Sequence, residues 1–237
     1  MAITIYGKNA VLSSLNEGKV LRLFLAPQIR DEKVLSIARQ MNIEIKVMSV
    51  SQLDQMTNHG VHQGMVAEVN DFEYTDLKNL IKQAKKKSLP LLLMLDGIND
   101  PHNLGAIIRS ADAFGVDGII IKKTNQVAVT ATVIKVATGA TNYVPVCQVT
   151  NLTQTLQLLK EEGFWAVATD GSAKQNYLDI DYKIPIVLII GSEGEGISKL
   201  VLANSDFTVK IPMVGHVNSL NASVATAVLL AGIVSKR

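Results

Sequence analysis

The chain has 237 residues, which is enough for one large domain or two modest domains, each with a buried core. Hydrophobic residues make up 48% of the composition and charged residues 19%, proportions that exclude a disordered chain and predict a compact globular protein. The formal net charge of +2 excludes, on composition alone, a strongly basic nucleic-acid-binding protein.

The first 70 residues alternate short strand-like and helix-like segments. Residues 21–25 and 43–48 are short runs rich in branched apolar residues, which is typical of strands. Between them, residues 31–41 carry apolar side chains at helical spacing and acidic residues at the start, which predicts a helix. Residues 61–69 predict another strand. The sequence therefore predicts a small α/β domain over residues 1–70.

A linker with a basic helix is expected over residues 71–88. A polar passage opens this segment, and five lysines against three acidic residues follow within 71–90. The lysines that end it can contact a phosphate backbone in a salt-sensitive, sequence-independent way. The simpler interpretation is the solvated end of a helix, where cations also interact favourably with the helix dipole. The lysines concerned are Lys82, Lys85, Lys86 and Lys87.

A second domain is expected over residues 89–237. The continuous apolar run at 90–95 is typical of a parallel strand that is buried on both faces. Further strands are expected at 118–121, 143–146, 164–169 and 186–191. Helical patterns such as 152–162 separate them, so the sequence predicts a mostly parallel sheet with helices on both faces. Ligands bind such sheets beyond the carboxyl ends of the strands, where three loops carry unusual residues.

The first of these loops, residues 96–110, leads into a helix that carries Asn103 and Arg109. These two residues are six positions apart, so they point about 120° away from each other around a helix. Arg109 stands in an otherwise apolar stretch, and a guanidinium in such a place needs an anionic partner. That partner is a bound anion or, alternatively, Asp112 or Glu193 of the same chain.

The second loop is the glycine-rich turn Gly191-Ser-Glu-Gly-Glu-Gly196. Glycines allow a positive φ and let a ligand approach the backbone closely. The loop has no lysine, and Glu193 and Glu195 would repel a phosphate. It therefore predicts a pocket for a neutral or cationic ligand. The alternative is a tight turn in which Glu193 caps the following helix.

The third loop begins at Ile211 and leads into a helix over 222–234. This helix is apolar on almost every face, as expected for a helix that is buried in a core. Asn218, Ser219 and Asn221 precede it, and all three are residue types that cap helices. They cannot all cap one helix, so at least one of them is expected to bind a ligand.

Other kinds of site find no support in the sequence. The four histidines lack the spacing of metal ligands, so no metal site is expected, and Cys147 is expected to be a small buried hydrophobic residue. A single cysteine and the lack of a visible secretory signal favour the reducing cytoplasm. Polar residues interrupt the uncharged stretch 211–235, leaving fewer than the ~18 apolar residues that a membrane span requires.

The three loops, in this order, closely resemble the three sequence motifs of the SPOUT methyltransferases. The resemblance is to the SpoU/TrmH branch, which methylates ribose 2′-hydroxyls of RNA. Asn103 with Arg109, Gly191-Ser-Glu-Gly, and Ser219-Leu-Asn221 stand where the pattern of that branch puts them. Residues 5–12 and 62–67 are similar to the ribosomal-protein-like RNA-binding domain of bacterial 23S rRNA guanosine 2′-O-methyltransferases. The similarity extends over essentially the whole chain.

This resemblance implies a trefoil-knotted α/β domain over 89–237 and an RNA substrate-binding domain over 1–70. It also implies that the knot binds S-adenosylmethionine, and that the protein is a homodimer whose active sites are completed across the interface. The residues that the resemblance places at the cofactor are Gly191, Ile211, Leu220, Thr169, Asp170 and Gly171.

The implied reaction is attack of a ribose 2′-oxygen on the methyl group of the cofactor. The resemblance gives Arg109 the central role, as a base or as the group that positions and activates the hydroxyl. We expect Arg109 to bind an RNA phosphate and stabilise the developing alkoxide. Four residues are expected to fix this geometry: Asn103, Glu193, Ser219 and Asn221. The expected substrate is a guanosine of 23S rRNA; the alternatives are a guanosine of tRNA and a non-catalytic RNA-binding knot protein.

Overall fold

The computed structural model describes residues 2–237. The strands in chain order are β1 (Ala2–Tyr6), β2 (Val20–Leu25), β3 (Glu44–Val47), β4 (Met65–Asn70), β5 (Leu91–Asp96), β6 (Gly118–Lys122), β7 (Val146–Val149), β8 (Trp165–Thr169), β9 (Gln175–Asn176), β10 (Ile186–Gly191) and β11 (Phe207–Lys210). The helices are α1 (Lys8–Asn16), α2 (Glu32–Gln40), α3 (Val50–Met56), α4 (Leu77–Ala84), α5 (Pro101–Ala113), α6 (Ala131–Val136), α7 (Leu152–Glu161), α8 (Lys199–Ala203) and α9 (Ala222–Ser235). Helices and strands alternate along the chain, which confirms the predicted α/β class.

The chain forms two compact units. The first consists of the residues up to Glu73 together with Val129–Tyr143, and the second consists of Tyr74–Ala128 and Val144–Arg237. The boundaries expected from the sequence, 1–70, 71–88 and 89–237, do not anticipate the return of 129–143 to the first unit. The chain therefore passes between the units three times.

The first unit is built on a four-stranded sheet in the order β1-β4-β2-β3. Strand β4 is antiparallel to β1 and β2, and β3 is parallel to β2. One part of its core brings Phe24 and Val66 of the sheet against Leu53 of α3. The sequence predicts β2, α2, β3 and β4 but misses β1, although Ile3 and Ile5 alternate there with polar side chains.

The segment 129–143 packs on β1 and α1 within the first unit. The Lys135 ammonium lies 4.1 Å from the centre of the Tyr6 ring, a cation–π contact. The Asn142 amide donates to the Ser13 hydroxyl at 3.0 Å and accepts a hydrogen bond from Lys19 at 2.8 Å. These contacts attach α6 and the turn that follows it to the N-terminal sheet.

The second unit is built on a seven-stranded sheet in the order β7-β6-β5-β10-β8-β11-β9. All its strand pairings are parallel, which confirms the predicted parallel sheet. Leu92 and Met94 of β5 pack with α4, α7 and α8 in one core cluster. Because side chains alternate along a strand, Leu91 and Leu93 face the opposite side, where α9 packs against β10 and α5. The helices thus cover both faces, as predicted.

One predicted strand is misplaced. The sequence predicts a strand at 143–146, whereas β7 begins only at Val146 and residues 140–142 form a 3₁₀ turn. The apolar residues Tyr143 and Val144 misled the prediction, since they belong to a connection, and Pro145 has no N–H for a sheet ladder.

Helix α9, which the sequence predicts to be buried in a core, is buried on one side only within the single chain. Leu229, Leu230 and Ile233 are buried, whereas Val224 is 47% exposed and Val234 is 40% exposed. One side of α9 is therefore open to solvent in the single chain.

No helix among residues 2–237 has the length and apolar character to cross a membrane.

Two of the linker lysines bind carboxylates within the protein. Lys85 forms an ion pair with Glu162 and Lys87 with Asp117, each at 2.6 Å. These contacts favour the interpretation of a solvated helix end for these two residues. Cys147 is buried in β7, as predicted, and desolvation raises the pKa of its thiol to about 11.

Candidate active site

A cleft of about 850 Å³ opens at the carboxyl edge of the second sheet. Strands β5 and β10 end there side by side, with Asp96 opposite Gly191 in the register. Four parts of the chain contribute to its lining: residues 169–171, residues 190–197, residues within 209–220, and three residues of α9, Ala222, Ala225 and Leu229. This volume is in the range of about 300–1,000 Å³ that is typical of small-molecule sites. The cleft therefore lies where a parallel sheet binds its ligands.

The glycine loop after β10 is closed by its own backbone. Ser192 and Gly196 exchange two backbone hydrogen bonds, at 3.1 and 3.0 Å. A Cβ atom on Gly191 would lie 2.2 Å from the carbonyl carbon of Gly196. The buried Asp96 carboxylate, which no sequence motif indicates, accepts from the Ser198 amide at 2.9 Å. Glycine is thus required at position 191 because the backbone of residues 196–197 packs directly against it, and not because a ligand approaches it.

Residues 211–220 form a wall of the cleft without regular secondary structure. Within the described residues, this segment makes no hydrogen bond through its backbone or through Asn218 and Ser219. Residues 212–219 are exposed, so their backbone N–H and C=O groups face solvent and not other parts of the chain. This wall therefore offers free donors and acceptors to a ligand.

The rest of the cleft lining is acidic. Asp170 accepts hydrogen bonds from the Ser172 hydroxyl and amide, both at 2.7 Å, and these bonds lower the pKa of its carboxyl. Glu193 and Glu195 also line the cleft, so three carboxylates stand against the single ammonium of Lys210. The lining favours a neutral or cationic ligand, as the sequence predicts.

A cluster of hydrogen bonds unites the three loops beside the cleft. The Oε1 atom of Glu193 accepts from Asn103 Nδ2 at 2.9 Å, from Asn221 Nδ2 at 2.5 Å and from the Ala222 backbone N at 3.2 Å. The second hydrogen of Asn221 Nδ2 is directed to Asn103 Oδ1 at 2.9 Å. Residues that are far apart in sequence thus form one rigid polar group, which we call the Glu193 cluster.

The cluster is fixed by the starts of two helices. Asp100 caps α5, whose first residue is Pro101, and thereby orients Asn103. Asn221 caps α9 through Oδ1, which accepts from the backbone amides of residues 223 and 224, while its Nδ2 binds Glu193. The alternative that Glu193 caps the helix after its own loop is wrong, because Glu193 accepts the first amide of α9 instead. The positive end of the α9 dipole favours this carboxylate.

Arg109 stands apart from the Glu193 cluster. Its side chain is exposed on α5, and within the described residues it forms no ion pair or hydrogen bond. The alternative internal pairs with Asp112 and Glu193 are therefore not present. A guanidinium with no partner in its own chain is free to bind an external anion.

The sequence-predicted residues fall into three groups. All six predicted cofactor residues line the cleft, together with Glu193 and Ser219: Gly191, Ile211, Leu220, Thr169, Asp170 and Gly171. Asn103 and Asn221 hold Glu193 from outside the lining. Arg109 neither lines the cleft nor contacts the Glu193 cluster in the single chain.

A parallel sheet with a glycine-rich cleft at its carboxyl edge, and a polar cluster drawn from three loops, defines an α/β enzyme with a small-molecule site. Residues 90–231 match the SpoU rRNA Methylase family, and residues 4–75 match the RNA 2′-O ribose methyltransferase substrate-binding family. The chain belongs to the SpoU family of RNA methyltransferases.

Full-length relatives and solved structures agree with this assignment. The chain is 44% identical over 238 residues to the putative TrmH family tRNA/rRNA methyltransferase YacO of Bacillus subtilis, covering 98% of this chain and 95% of YacO. The SpoU methyltransferase AviRb of Streptomyces viridochromogenes superposes with a TM-score of 0.85 at 25% identity, covering 100% and 90% of the two chains. The S-adenosylmethionine-bound rRNA methyltransferase of Sinorhizobium meliloti gives a TM-score of 0.82 at 25% identity, covering 98% and 86%. The protein is an RNA methyltransferase of this family.

Proposed function

We propose that this protein methylates the ribose 2′-hydroxyl of a guanosine in 23S rRNA. The observation that carries the proposal is the Glu193 cluster, because it joins the three motifs at the edge of the cleft. The family match of residues 4–75 supports a ribose hydroxyl as the acceptor, and the rRNA methyltransferase from Sinorhizobium meliloti supports ribosomal RNA.

In this proposal the cleft holds S-adenosylmethionine. Gly191, Ile211 and Leu220 contact it from the loop side, and residues 169–171 form the further wall. The free backbone groups of 211–220 suit the hydrogen-bonding edge of an adenine, and the acidic lining suits a sulfonium. The cofactor supplies an electrophilic methyl group when it is bound. The residues of the cleft therefore fit the cofactor in both shape and charge.

We further propose that the second unit is a trefoil knot, with RNA binding assigned to residues 1–70 and catalysis to 89–237. Strand β11 supports the knot, because it lies between β8 and β9 although it follows both along the chain. The chain then returns to α5 through α9. The match of residues 4–75 to a substrate-binding family supports the assignment of RNA binding, with 71–88 as the connection.

Arg109 is assigned to the substrate. It binds an RNA phosphate and stabilises negative charge that develops on the ribose oxygen, since a guanidinium presents five donors in a fixed plane. Asn103 and Asn221 hold Glu193 in one orientation, and Ser219 orients the ribose at the cleft. These residues raise the rate by positioning groups before the reaction.

A homodimer explains why Arg109 has no partner, and why one side of α9 is exposed, in the single chain. Arg109 lies on α5, which packs against α9, and the apolar residues Val224 and Val234 are exposed on α9. A second copy seated on this side would bury both valines and bring Arg109 of one protomer to the cleft of its partner. Each active site would then be completed across the interface.

Val224→Glu is expected to convert the dimer to a monomer and to lower methyl transfer by at least about 100-fold, because the interface would have to bury an unpaired charge. Sedimentation velocity gives the oligomeric state and labelled transfer gives the activity. Leu200→Glu, at an apolar residue on α8 that is 68% exposed, is the control and should remain dimeric. A dimeric Val224→Glu protein would show that α9 is not at the interface.

The substrate is tested by methyl transfer from labelled S-adenosylmethionine to a 23S rRNA domain transcript and to tRNA, side by side. We expect labelling of the 23S transcript, recovery of the label as 2′-O-methylguanosine after digestion to nucleosides, and labelling that is at least about 100-fold slower with Arg109→Ala. Labelling of tRNA alone would assign the protein to tRNA. RNA binding without cofactor binding in calorimetry would identify a non-catalytic RNA-binding protein.

A further inference from the structure

Only one oxygen of the Glu193 carboxylate accepts hydrogen bonds from the residues that the structure describes. Oε1 accepts three hydrogen bonds, at 2.9, 2.5 and 3.2 Å, from Asn103, Asn221 and the Ala222 amide. Across residues 2–237 no donor is directed at Oε2 of the same group. An ionised carboxylate has about four acceptor positions shared between its two oxygens. The acceptor capacity of Oε2 is therefore entirely open.

The open oxygen belongs to a residue that lines the cleft. Glu193 lines the cleft, whereas Asn103 and Asn221, which hold Oε1, lie outside the lining. The three donors on Oε1 fix the orientation of the carboxylate, and Oε2 is the oxygen that remains available to a ligand in the cleft. This arrangement combines a fixed orientation with an unused acceptor.

The reaction proposed above needs a proton acceptor at this place. A ribose oxygen that forms a bond to a methyl group must lose its hydrogen, and the leaving proton needs an acceptor within hydrogen-bond reach. The guanidinium of Arg109 has only donors and no acceptor. The amide nitrogens of Asn103 and Asn221 are donors, and Asn221 Oδ1 is engaged in capping α9. Asp170 is held by Ser172 in another part of the cleft lining.

We propose that Glu193 Oε2 accepts the proton of the ribose 2′-hydroxyl, an inference that rests on the proposed function. An electron pair of the 2′-oxygen forms the new bond to the methyl carbon, and the carbon–sulfur bond breaks with its electrons staying on sulfur, which becomes neutral. The O–H proton moves to Oε2 as that bond forms, and Glu193 then releases it to water. Asn103 and Asn221 are positioning residues for this step, because they hold the other oxygen.

Glu193→Gln tests the proposal because glutamine keeps an oxygen for the three donors but replaces the open oxygen with an NH₂ group. The first readout is RNA affinity without turnover, measured in the presence of S-adenosylhomocysteine. The probes are the unmethylated 23S fragment, which carries a free 2′-hydroxyl at the target guanosine, and the same fragment with 2′-deoxyguanosine at that position. The wild-type protein should bind the deoxy fragment about tenfold more weakly, since a hydrogen bond to a charged group is lost.

Glu193→Gln should bind the two fragments with equal affinity and transfer methyl groups about 10²–10⁴-fold more slowly in single turnover, the range for loss of a general base. Glu161→Gln, an exposed glutamate on α7, is the charge-matched control and should keep both wild-type values. Thermal unfolding and S-adenosylmethionine affinity check that each variant is folded, and Glu193→Asp, with a shorter reach, should restore part of the rate.

Three outcomes would overturn the proposal. The first is a Glu193→Gln protein that still prefers the ribose fragment tenfold, and the second is one that retains a rate within about threefold of wild type. The third is loss of the preference in Glu195→Gln instead, which would assign the proton to that neighbouring carboxylate. If the wild-type protein methylates neither 23S RNA nor tRNA, the proposed function fails first and this inference fails with it.

Discussion

Arg109→Ala is expected to lower kcat/KM for methyl transfer by about 10²–10³-fold and to leave the affinity for S-adenosylmethionine unchanged. The reason is that Arg109 is free in the single chain and would act only on the RNA and on charge that develops during the reaction. Steady-state transfer to the RNA substrate gives the rate, and calorimetry gives the cofactor affinity. Arg109→Lys separates the two sources of the effect, because near-normal turnover would exclude any role for the planar guanidinium.

A mixed dimer tests whether Arg109 serves the cleft of its partner. One chain carries Arg109→Ala and the other carries Gly191→Ala, and the two are purified together through different tags. If Arg109 acts across the interface, one of the two sites is intact and the mixed dimer should regain about half of the wild-type activity. An inactive mixed dimer would assign Arg109 to the cleft of its own chain.

Gly191→Ala is expected to weaken S-adenosylmethionine binding by at least about 100-fold. The added Cβ would meet the carbonyl carbon of Gly196 at 2.2 Å, so the loop would have to open and lose its two backbone hydrogen bonds. Isothermal titration with S-adenosylmethionine measures the effect. Gly194→Ala lies in the same loop, where an added Cβ would meet nothing within 4 Å, and should bind within about threefold of wild type. Equal affinities for the two variants would show that the loop does not shape the cofactor site.

The sequence predicts the sheet of the second unit well, because the signals are local. The apolar runs at 90–95 and 186–191 are buried on both faces, and few structures other than a parallel strand account for such runs when they are short and end at glycine. The prediction fails where an apolar residue belongs to a connection, as at Tyr143. It also fails for one side of α9, since apolar composition does not distinguish burial within a chain from burial between chains.

The residues of the candidate site could be predicted as one set only from the resemblance to the SpoU/TrmH branch. Helical geometry places Asn103 and Arg109 on different faces, but nothing local indicates that Asn103 meets Glu193 and Asn221, because those contacts depend on how three loops converge. The Asp96 contact to the glycine loop has the same long-range character. The sequence also gives no sign that all three hydrogen bonds to Glu193 are accepted by Oε1, because the three donors come from separate segments of the chain.

The return of 129–143 to the first unit determines how the protein can be divided. A fragment that starts at Tyr74 keeps α6 but removes β1, so Lys135 loses the ring of Tyr6 and Asn142 loses Ser13. A fragment that stops at Glu73 exposes the complementary side of β1. No single cut separates the two units, and an insertion or deletion between β6 and β7 alters the N-terminal unit although it lies within the sequence of the methylase match. The two family matches are therefore separate along the sequence but interleaved in three dimensions.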